Sequence, residues 1–360
     1  MDHLVKINNL RKKLSDGVHL KPELPLVLSR YRDVMDLALK DAISDRSIFL
    51  YDMLRYCMGW SDTNGVPLEA EKGKGIRPSL CLFTCEALGG DIGKALPAAV
   101  SLELIHNFSL IHDEIQDSDE IRHHRPTLWN VWGIPKALVA GNVMRVLADK
   151  SMFTMPSDDP KLLSASSLII SEACLEMIEG QYMDISFEGG NSIGVDQYMK
   201  MISHKTGALL RSSVHIGAII GSRGGRVADT FREIGVKLGF MFQIKDDILG
   251  TWGDTASTGK PVGSDIRRKK NTLPIIHARE SQTQTYQEEI SELYSMESIQ
   301  DHHVDRVLDI LDATEARHYC QGLVEDYALD VSKDIQNIGF SKNSREEFQE
   351  LVSFLVDRSF

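Results

Sequence analysis

One stretch of the chain combines an apolar helical pattern with closely spaced acidic residues. It runs from His106 to Asp117 and ends in Asp113, Glu114 and Asp117. On a helix, side chains four residues apart have Cβ atoms roughly 5–6 Å apart, so Asp113 and Asp117 can share one divalent cation or bridge two. Taken alone, the same stretch is equally consistent with an exposed acidic helix end.

A second stretch, Phe242 to Gly250, repeats this arrangement with Asp246 and Asp247. If the two helices are antiparallel neighbours across a bundle, Asp246 faces Asp113 and Asp117 across a cavity, a common way to build metal sites in helical proteins. Hard oxygen ligands favour magnesium, which completes its coordination with waters and substrate phosphates. Together the two stretches predict a magnesium site that binds a diphosphate.

Basic residues that could neutralise a leaving diphosphate are also present. Lys205 and Thr206 lie in a short polar segment, and Lys260 lies in a glycine-containing loop, residues 254–261. Lysines beside metal-bound oxygens would stabilise the negative charge that develops in the transition state. Each lysine taken alone would more often be a surface residue.

Helices must position these groups, because apolar residues recur at three- and four-residue spacing along nearly the whole chain and alternating strand patterns are almost absent. Gly- and Pro-containing breaks are typical of connections between helices rather than of a domain boundary. We predict an all-α protein in which residues 1–360 form one large helical domain with a central active-site cavity. The clearest helical stretches are 37–54, 80–111, 136–152, 163–183 and 230–249.

Composition narrows the functional classes. The chain has 360 residues, 42% hydrophobic and 26% charged, which is typical of a globular protein. Its net charge of −12 argues against nucleic-acid binding, which needs clustered Lys and Arg. No apolar run reaches the roughly 18 residues of a membrane span, the N-terminus lacks a secretory signal pattern, and the five cysteines form no CxxC pair. We expect a cytoplasmic protein.

The chain resembles the trans-isoprenyl diphosphate synthase (polyprenyl synthetase) family from about Gly73 to Ala278, and most of all its short-chain geranylgeranyl and farnesyl diphosphate synthases. The resemblance implies the helical isoprenoid-synthase bundle and a homodimer. It rests on motifs that occur in family order. These motifs are Gly73 to Pro78, His106 to Asp117, Arg122 to Thr127, Gly180 to Asp184, Lys205-Thr206, Phe242 to Asp247 and Gly259 to Pro261.

The resemblance also implies roles for individual residues. Asp113, Asp117 and Asp246 would hold magnesium on the allylic diphosphate, three ions with substrate bound, with Glu114 and Asp247 as further candidate ligands. The implied reaction is ionisation of the allylic C–O bond, attack by the double bond of isopentenyl diphosphate, and loss of a proton to the departed diphosphate. The same resemblance places Arg122, Gln181, Lys205, Thr206, Gln243 and Lys260 around the allylic diphosphate, and Lys74, Arg77 and His106 around isopentenyl diphosphate.

Phe108 lies five residues before Asp113, about one and a half helical turns below the metal ligands. Its ring could therefore be the floor beneath a growing prenyl chain, although ordinary core packing explains it equally well. An aromatic residue at this position resembles synthases that make a C20 product. We therefore expect a C20 product ahead of a C15 product.

Four positions depart from the family pattern: Glu114 and Asn142 stand where an Asp is common, Gly250 replaces the last Asp of the second motif, and His123 replaces an arginine. A neutral imidazole offers one donor in place of a charged fork, which weakens the expected grip on isopentenyl diphosphate. Two alternatives follow. The chain could be a class I terpene cyclase that needs no isopentenyl diphosphate, or a non-catalytic regulatory subunit of a heteromeric prenyltransferase.

Overall fold

A computed structural model describes residues 24–43, 46–68, 70, 73–156, 160–187, 193–222, 224–253 and 261–358. The predicted all-α class is confirmed: helices make up the regular secondary structure of the described residues, apart from one short hairpin and an isolated bridge. The N-terminal half contains α1 (Leu26–Ser29), α2 (Arg32–Ile43), α3 (Leu50–Cys57), α4 (Ile76–Ala87), α5 (Ile92–Gln116), β1 (Ile121–Arg122), β2 (Arg125–Pro126), α6 (Leu128–Trp132), α7 (Ile134–Met152) and α8 (Pro160–Phe187).

The C-terminal half begins with α9 and a single π-helical turn, Ser203–Gly207, that continues directly into α10. Its helices are α9 (Val195–Ile202), α10 (Ala208–Ser222), α11 (Arg226–Trp252), α12 (Ser264–Arg267), α13 (Leu273–Arg279), α14 (Gln284–Ser295), α15 (Asp301–Ala313), α16 (Ala316–Gln336) and α17 (Lys342–Asp357). Among the helices of these described segments, none combines the length and apolar composition that crossing a lipid bilayer requires.

The long helices α5 and α11, which carry the two acidic motifs, pack within one large apolar core. The Asp91 side chain caps α5 by accepting a hydrogen bond from the Gly93 amide at 2.9 Å, which fixes where this 25-residue helix starts. A smaller apolar cluster, formed by α12 to α16, lies beside the C-terminal end of α11, and Trp252 packs against both clusters. The organisation of residues 1–360 as one domain stays a prediction.

Candidate active site

The first acidic motif lies at the C-terminal end of α5. Asp113 is in the last helical turn, and its Oδ1 lies 3.5 Å from Nζ of Lys205. Asp117 directly follows the helix, and its Oδ2 lies 3.0 Å from Arg268 and 3.7 Å from Lys270. Burial raises the pKa of Asp117, and Asp113 raises it further, while these basic residues oppose the rise. Both predicted ligands thus lie beside basic side chains, Asp113 beside Lys205 and Asp117 beside Arg268 and Lys270.

Glu114 points into the protein instead. It is 7% exposed, and its Oε1 lies 3.7 Å from Nε of Arg122. Burial raises the pKa of Glu114 to about 7, although the Arg122 charge works against the rise. These surroundings do not support the metal-ligand role predicted for Glu114, because the carboxylate faces Arg122 and the interior. We therefore assign it to positioning Arg122.

In the second motif, Asp246 accepts a hydrogen bond from Arg358, whose Nη2 lies 2.6 Å from Oδ1. Arg358 is 3% exposed; it also donates to the Phe242 carbonyl at 2.6 Å and stacks over the Phe242 ring, 4.0 Å from the centroid. The C-terminal end of the chain therefore fixes this carboxylate. Asp246 itself keeps 42% of its side chain exposed and so remains open to a cation.

Asp247 is a buried structural residue. It is 4% exposed, and its Oδ2 accepts hydrogen bonds from the Tyr198 hydroxyl at 2.5 Å and the Leu273 amide at 2.8 Å, while its Oδ1 accepts one from Gln243 at 3.0 Å. Burial raises the pKa of Asp247 to about 7. Since Asp247 is buried and both of its oxygens already accept hydrogen bonds, these surroundings do not support the metal-ligand role predicted for it.

The π-helical turn Ser203–Gly207 connects the two motifs. Lys205 contacts Asp113, and the neighbouring Thr206 hydroxyl donates to Oε1 of Gln243 at 2.6 Å, one turn before the second motif ends. Asp184 is a further ion-pair partner of Lys205. Burial alone would lower the pKa of Lys205, but the carboxylates of Asp184 and Asp113 raise it, so the amine stays charged. The turn therefore contacts one residue of each motif, Asp113 in the first and Gln243 in the second.

Two glycines allow the turn to lie between its flanking helices. A Cβ atom on Gly180 of α8 would lie 2.1 Å from the Lys205 amide nitrogen, and one on Gly239 of α11 would lie 2.6 Å from the Gly207 Cα. Any side chain at either position would push the helix away from the turn. Close packing against the turn therefore explains the glycine of the Gly180-Gln181 motif. π-helical turns often occur at functional sites.

The other predicted residues of the allylic pocket border the first motif. Gln181 donates to the Gln116 side chain at 2.8 Å. The Phe108 ring is buried and lies 4.7 Å from the His112 ring, centroid to centroid. Lys260 lies outside the described residues.

The residues predicted to bind isopentenyl diphosphate lie on α4 and α5 and just before α4. Burial lowers the pKa of Arg77 and of His106, the latter well below 6.5, and each charge nearby on Arg77, Arg122 or His123 lowers the pKa of His106 further. His106 is therefore neutral near pH 7. Burial also lowers the pKa of Lys74, against the attraction of Asp246. Lys74 and Arg77 are thus coupled electrostatically to Asp246 of the second motif.

The structure shows the surroundings of two residues that depart from the family pattern, His123 and Gly250. His123 and His124 have φ angles of 47° and 59° and form the tip of the β1–β2 hairpin, as a two-residue turn with both residues left-handed requires. At Gly250, an added Cβ would lie only 1.9 Å from Oδ2 of Asp265. The carboxylate of Asp265 therefore already fills the space that a side chain at position 250 would need.

These residues fit a magnesium site that substrate completes. Oδ1 of Asp113 is buried and accepts no hydrogen bond, which leaves it available to a cation. Within the described segments, no three His, Cys, Asp or Glu side chains gather closely enough to enclose a metal by themselves. Magnesium usually takes one or two carboxylates together with waters and substrate phosphates, so a site of this kind matches its chemistry.

Sequence reasoning missed three basic residues of the site. Arg268 and Lys270 belong to four consecutive basic residues, 267–270, and such a run after an acidic motif was a usable signal. The role of Arg358 could not be predicted, because the residues around it in the sequence do not indicate a contact with Asp246, 112 residues away.

Comparison with known proteins gives a consistent result. The pattern described as Polyprenyl synthetase matches residues 67–311. The chain is 36% identical to the (2E,6E)-farnesyl diphosphate synthase of Mycobacterium tuberculosis, over 85% of each chain. It is 32% identical to the short chain isoprenyl diphosphate synthase of Methanothermobacter thermautotrophicus, over 92% of this chain and 98% of that protein. The crystal structure of geranylgeranyl pyrophosphate synthetase from Pyrococcus horikoshii superposes with a TM-score of 0.83 at 30% identity, covering 92% of this chain and 98% of the other.

Proposed function

The chain belongs to the polyprenyl synthetase family, and we propose that it condenses an allylic diphosphate with isopentenyl diphosphate to a C20 product, with C15 as the second choice. It is a prenyltransferase of the short-chain type. The observation that carries this proposal is the contact path from Asp113 through Lys205 and Thr206 to Gln243, which joins the two motifs into one site.

We further propose that Asp113, Asp117 and Asp246 hold magnesium, three ions with substrate bound. The ions would supply the charge that neutralises the departing diphosphate and polarises its oxygens. Lys205 stays protonated beside Asp113 and Asp184, so it can donate to the same diphosphate. Arg122 would be oriented toward it by Glu114.

The second substrate would bind through the charged Lys74 and Arg77, while His106 is neutral and can donate a single hydrogen bond. Because the allylic group is ionised by departure of diphosphate, no protein nucleophile is needed. The double bond of isopentenyl diphosphate then forms the new C–C bond. A proton leaves the adjacent carbon to the released diphosphate, which Lys205 and Arg122 would keep in place.

Product length would be limited by Phe108. Its ring is buried one and a half turns below Asp113 and rests against His112, so it blocks further extension along α5. We expect Phe108→Ala to shift the product distribution toward chains longer than C20, and Phe108→Tyr to leave it unchanged. An unaltered distribution in Phe108→Ala would remove Phe108 from the wall of the product tunnel.

The predicted homodimer is supported by apolar residues exposed along one side of α7 and α8. Their spacing of three, four and seven residues on α8 is that of one helical face. These residues are Leu138, Val139 and Val146 on α7 and Leu168, Leu175, Ile178 and Tyr182 on α8. We expect Leu175→Glu to convert a dimer into a monomer in light-scattering measurements. A cytoplasmic location stays a prediction.

The function is tested by supplying purified protein and magnesium with farnesyl or geranylgeranyl diphosphate, with and without isopentenyl diphosphate, and identifying the products. Elongated diphosphates that require isopentenyl diphosphate support the proposal. Hydrocarbon or alcohol formed from the allylic substrate alone would indicate a terpene cyclase. Activity that appears only after another synthase subunit is added would indicate a regulatory subunit.

A further inference from the structure

Arg268 directly follows α12 and reaches the first acidic motif, 149 to 151 residues earlier in the chain. We propose that Arg268 is a further substrate-binding residue, paired with Asp117 and Asp119 before metal binds and transferred to the diphosphate when metal takes Asp117. The inference rests on the proposed function, since it assumes that Asp117 binds the metal.

The guanidinium group of Arg268 forms a fork over two carboxylates. Nη2 lies 3.0 Å from Oδ2 of Asp117, and Nη1 lies 3.1 Å from Oδ1 of Asp119. Nη2 also approaches the Asp117 carbonyl at 3.4 Å. Arg268 therefore competes with any cation for the negative charge of Asp117.

The backbone conformation at Lys269 directs its two neighbours toward Asp117. Lys269 has a φ of 54°, a left-handed conformation that residues other than glycine rarely adopt. As a result Lys269 turns away and donates to the Glu297 carbonyl at 3.2 Å, while Lys270, like Arg268, faces Asp117, at 3.7 Å. Two basic side chains separated by one residue thus converge on a single carboxylate.

Electrostatics then couples the metal to the diphosphate. A divalent cation held by Asp117 would offset the negative charge that attracts Arg268, so this ion pair would weaken when the carboxylate takes the metal. Arg268 would then lie beside an anion that the same cation binds. Guanidinium forks bind phosphate oxygens in a bidentate manner, so the diphosphate replaces the lost carboxylate partner.

The test is a titration of the whole protein with Mn²⁺, followed by electron paramagnetic resonance, with and without inorganic pyrophosphate. Arg268→Gln should bind Mn²⁺ alone up to about fivefold more tightly, because the competing ion pair is gone. The increase in Mn²⁺ affinity that pyrophosphate causes in the wild type should fall roughly tenfold in this variant. Arg268→Lys keeps the charge without the fork and should give intermediate values.

Arg267→Gln is the matched control. Arg267 precedes Arg268 directly and has nearly the same side-chain exposure, 32% against 31%, but it pairs with Asp301 at 2.7 Å. We expect wild-type Mn²⁺ affinity and wild-type coupling for this variant. Thermal unfolding of both variants separates a loss of stability from a change in binding.

Two results would overturn the inference. If the wild type binds Mn²⁺ and pyrophosphate and Arg268→Gln matches it in both affinity and coupling, Arg268 is only a surface ion-pair partner, and the proposed function stands. If the wild type binds neither probe, the metal site itself is wrong, and the inference falls together with the proposed function.

Discussion

Each acidic motif contains two adjacent acidic residues, but the second acid has different partners in the two motifs. These second acids are Glu114 and Asp247. Glu114 and Asp247 are 7% and 4% exposed, and burial raises the pKa of each to about 7. Glu114 faces a charged partner, Arg122, whereas Asp247 accepts hydrogen bonds only from neutral donors. Glu114 therefore pairs with an arginine, and Asp247 links α9, α11 and the start of α13.

The first acids of the two motifs are alike instead. Asp113 is paired with Lys205, and Asp246 is paired with Arg358. A basic side chain thus neutralises each carboxylate in the absence of metal. This contrast teaches that the position of an acid within its motif decides whether it is buried among structural partners or stays beside a basic side chain at the proposed site.

The largest expected effect is loss of turnover in Asp113→Asn. Removing a charged ligand from the metal site should lower kcat about a thousandfold or more, measured as product formed from allylic and isopentenyl diphosphates. Asp301→Asn, on the exposed surface of α15, should retain wild-type rates. Near-normal turnover in Asp113→Asn would remove the proposed contrast between the first and second acids.

Asp247→Ala should instead act on stability. It leaves the Tyr198 hydroxyl, the Leu273 amide and the Gln243 amide without their acceptor, which should lower the free energy of unfolding by about 3 kcal/mol in denaturant titrations. The matched change Glu114→Ala should lower it less. An equal loss in both variants would mean that the two acids do the same work.

The pH dependence of stability should reveal the same carboxyl group. Because the pKa of Asp247 is raised to about 7 in the folded protein, the folded state binds more protons than the unfolded state between about pH 4 and 7. Its contribution is therefore present below pH 4 and lost as pH rises to 7, by roughly 2–4 kcal/mol in all. Asp247→Asn should reduce this slope in metal-free unfolding measurements but not abolish it, because the pKa of Glu114 is also raised to about 7; an unchanged slope would exclude Asp247 as a source.

Gly250→Asp tests whether the last position of the second motif has room for an aspartate, the residue that ends the first motif as Asp117. The new side chain would collide with Asp265, whose Oδ2 lies 1.9 Å from the required Cβ, so we expect a loss of about 2 kcal/mol. Gly250→Asp combined with Asp265→Ala should recover most of this loss. No loss in the single variant would mean that α12 moves aside easily.

The smallest effect is expected for Glu114→Gln. The amide keeps the shape but loses the charge opposite Arg122, so KM for the allylic diphosphate should rise about threefold to tenfold with kcat changed less. A fall in kcat as large as that of Asp113→Asn would restore Glu114 to the metal ligands.

The sequence predicted the helical class correctly, because apolar periodicity depends on local spacing. It also singled out Lys205 and Thr206, which contact Asp113 and Gln243 in the structure. It could not predict that Glu114 and Asp247 are buried, because sequence shows that an acid is present but not which way its side chain points.

What the sequence by itself determined is therefore the set of helices and the chemistry available at their ends, since apolar periodicity and acid spacing act over a few residues. The tertiary structure alone decided which oxygen is buried and which cation reaches it. Arg268 and Arg358 meet Asp117 and Asp246 only because chain folding brings residues more than a hundred positions apart into contact.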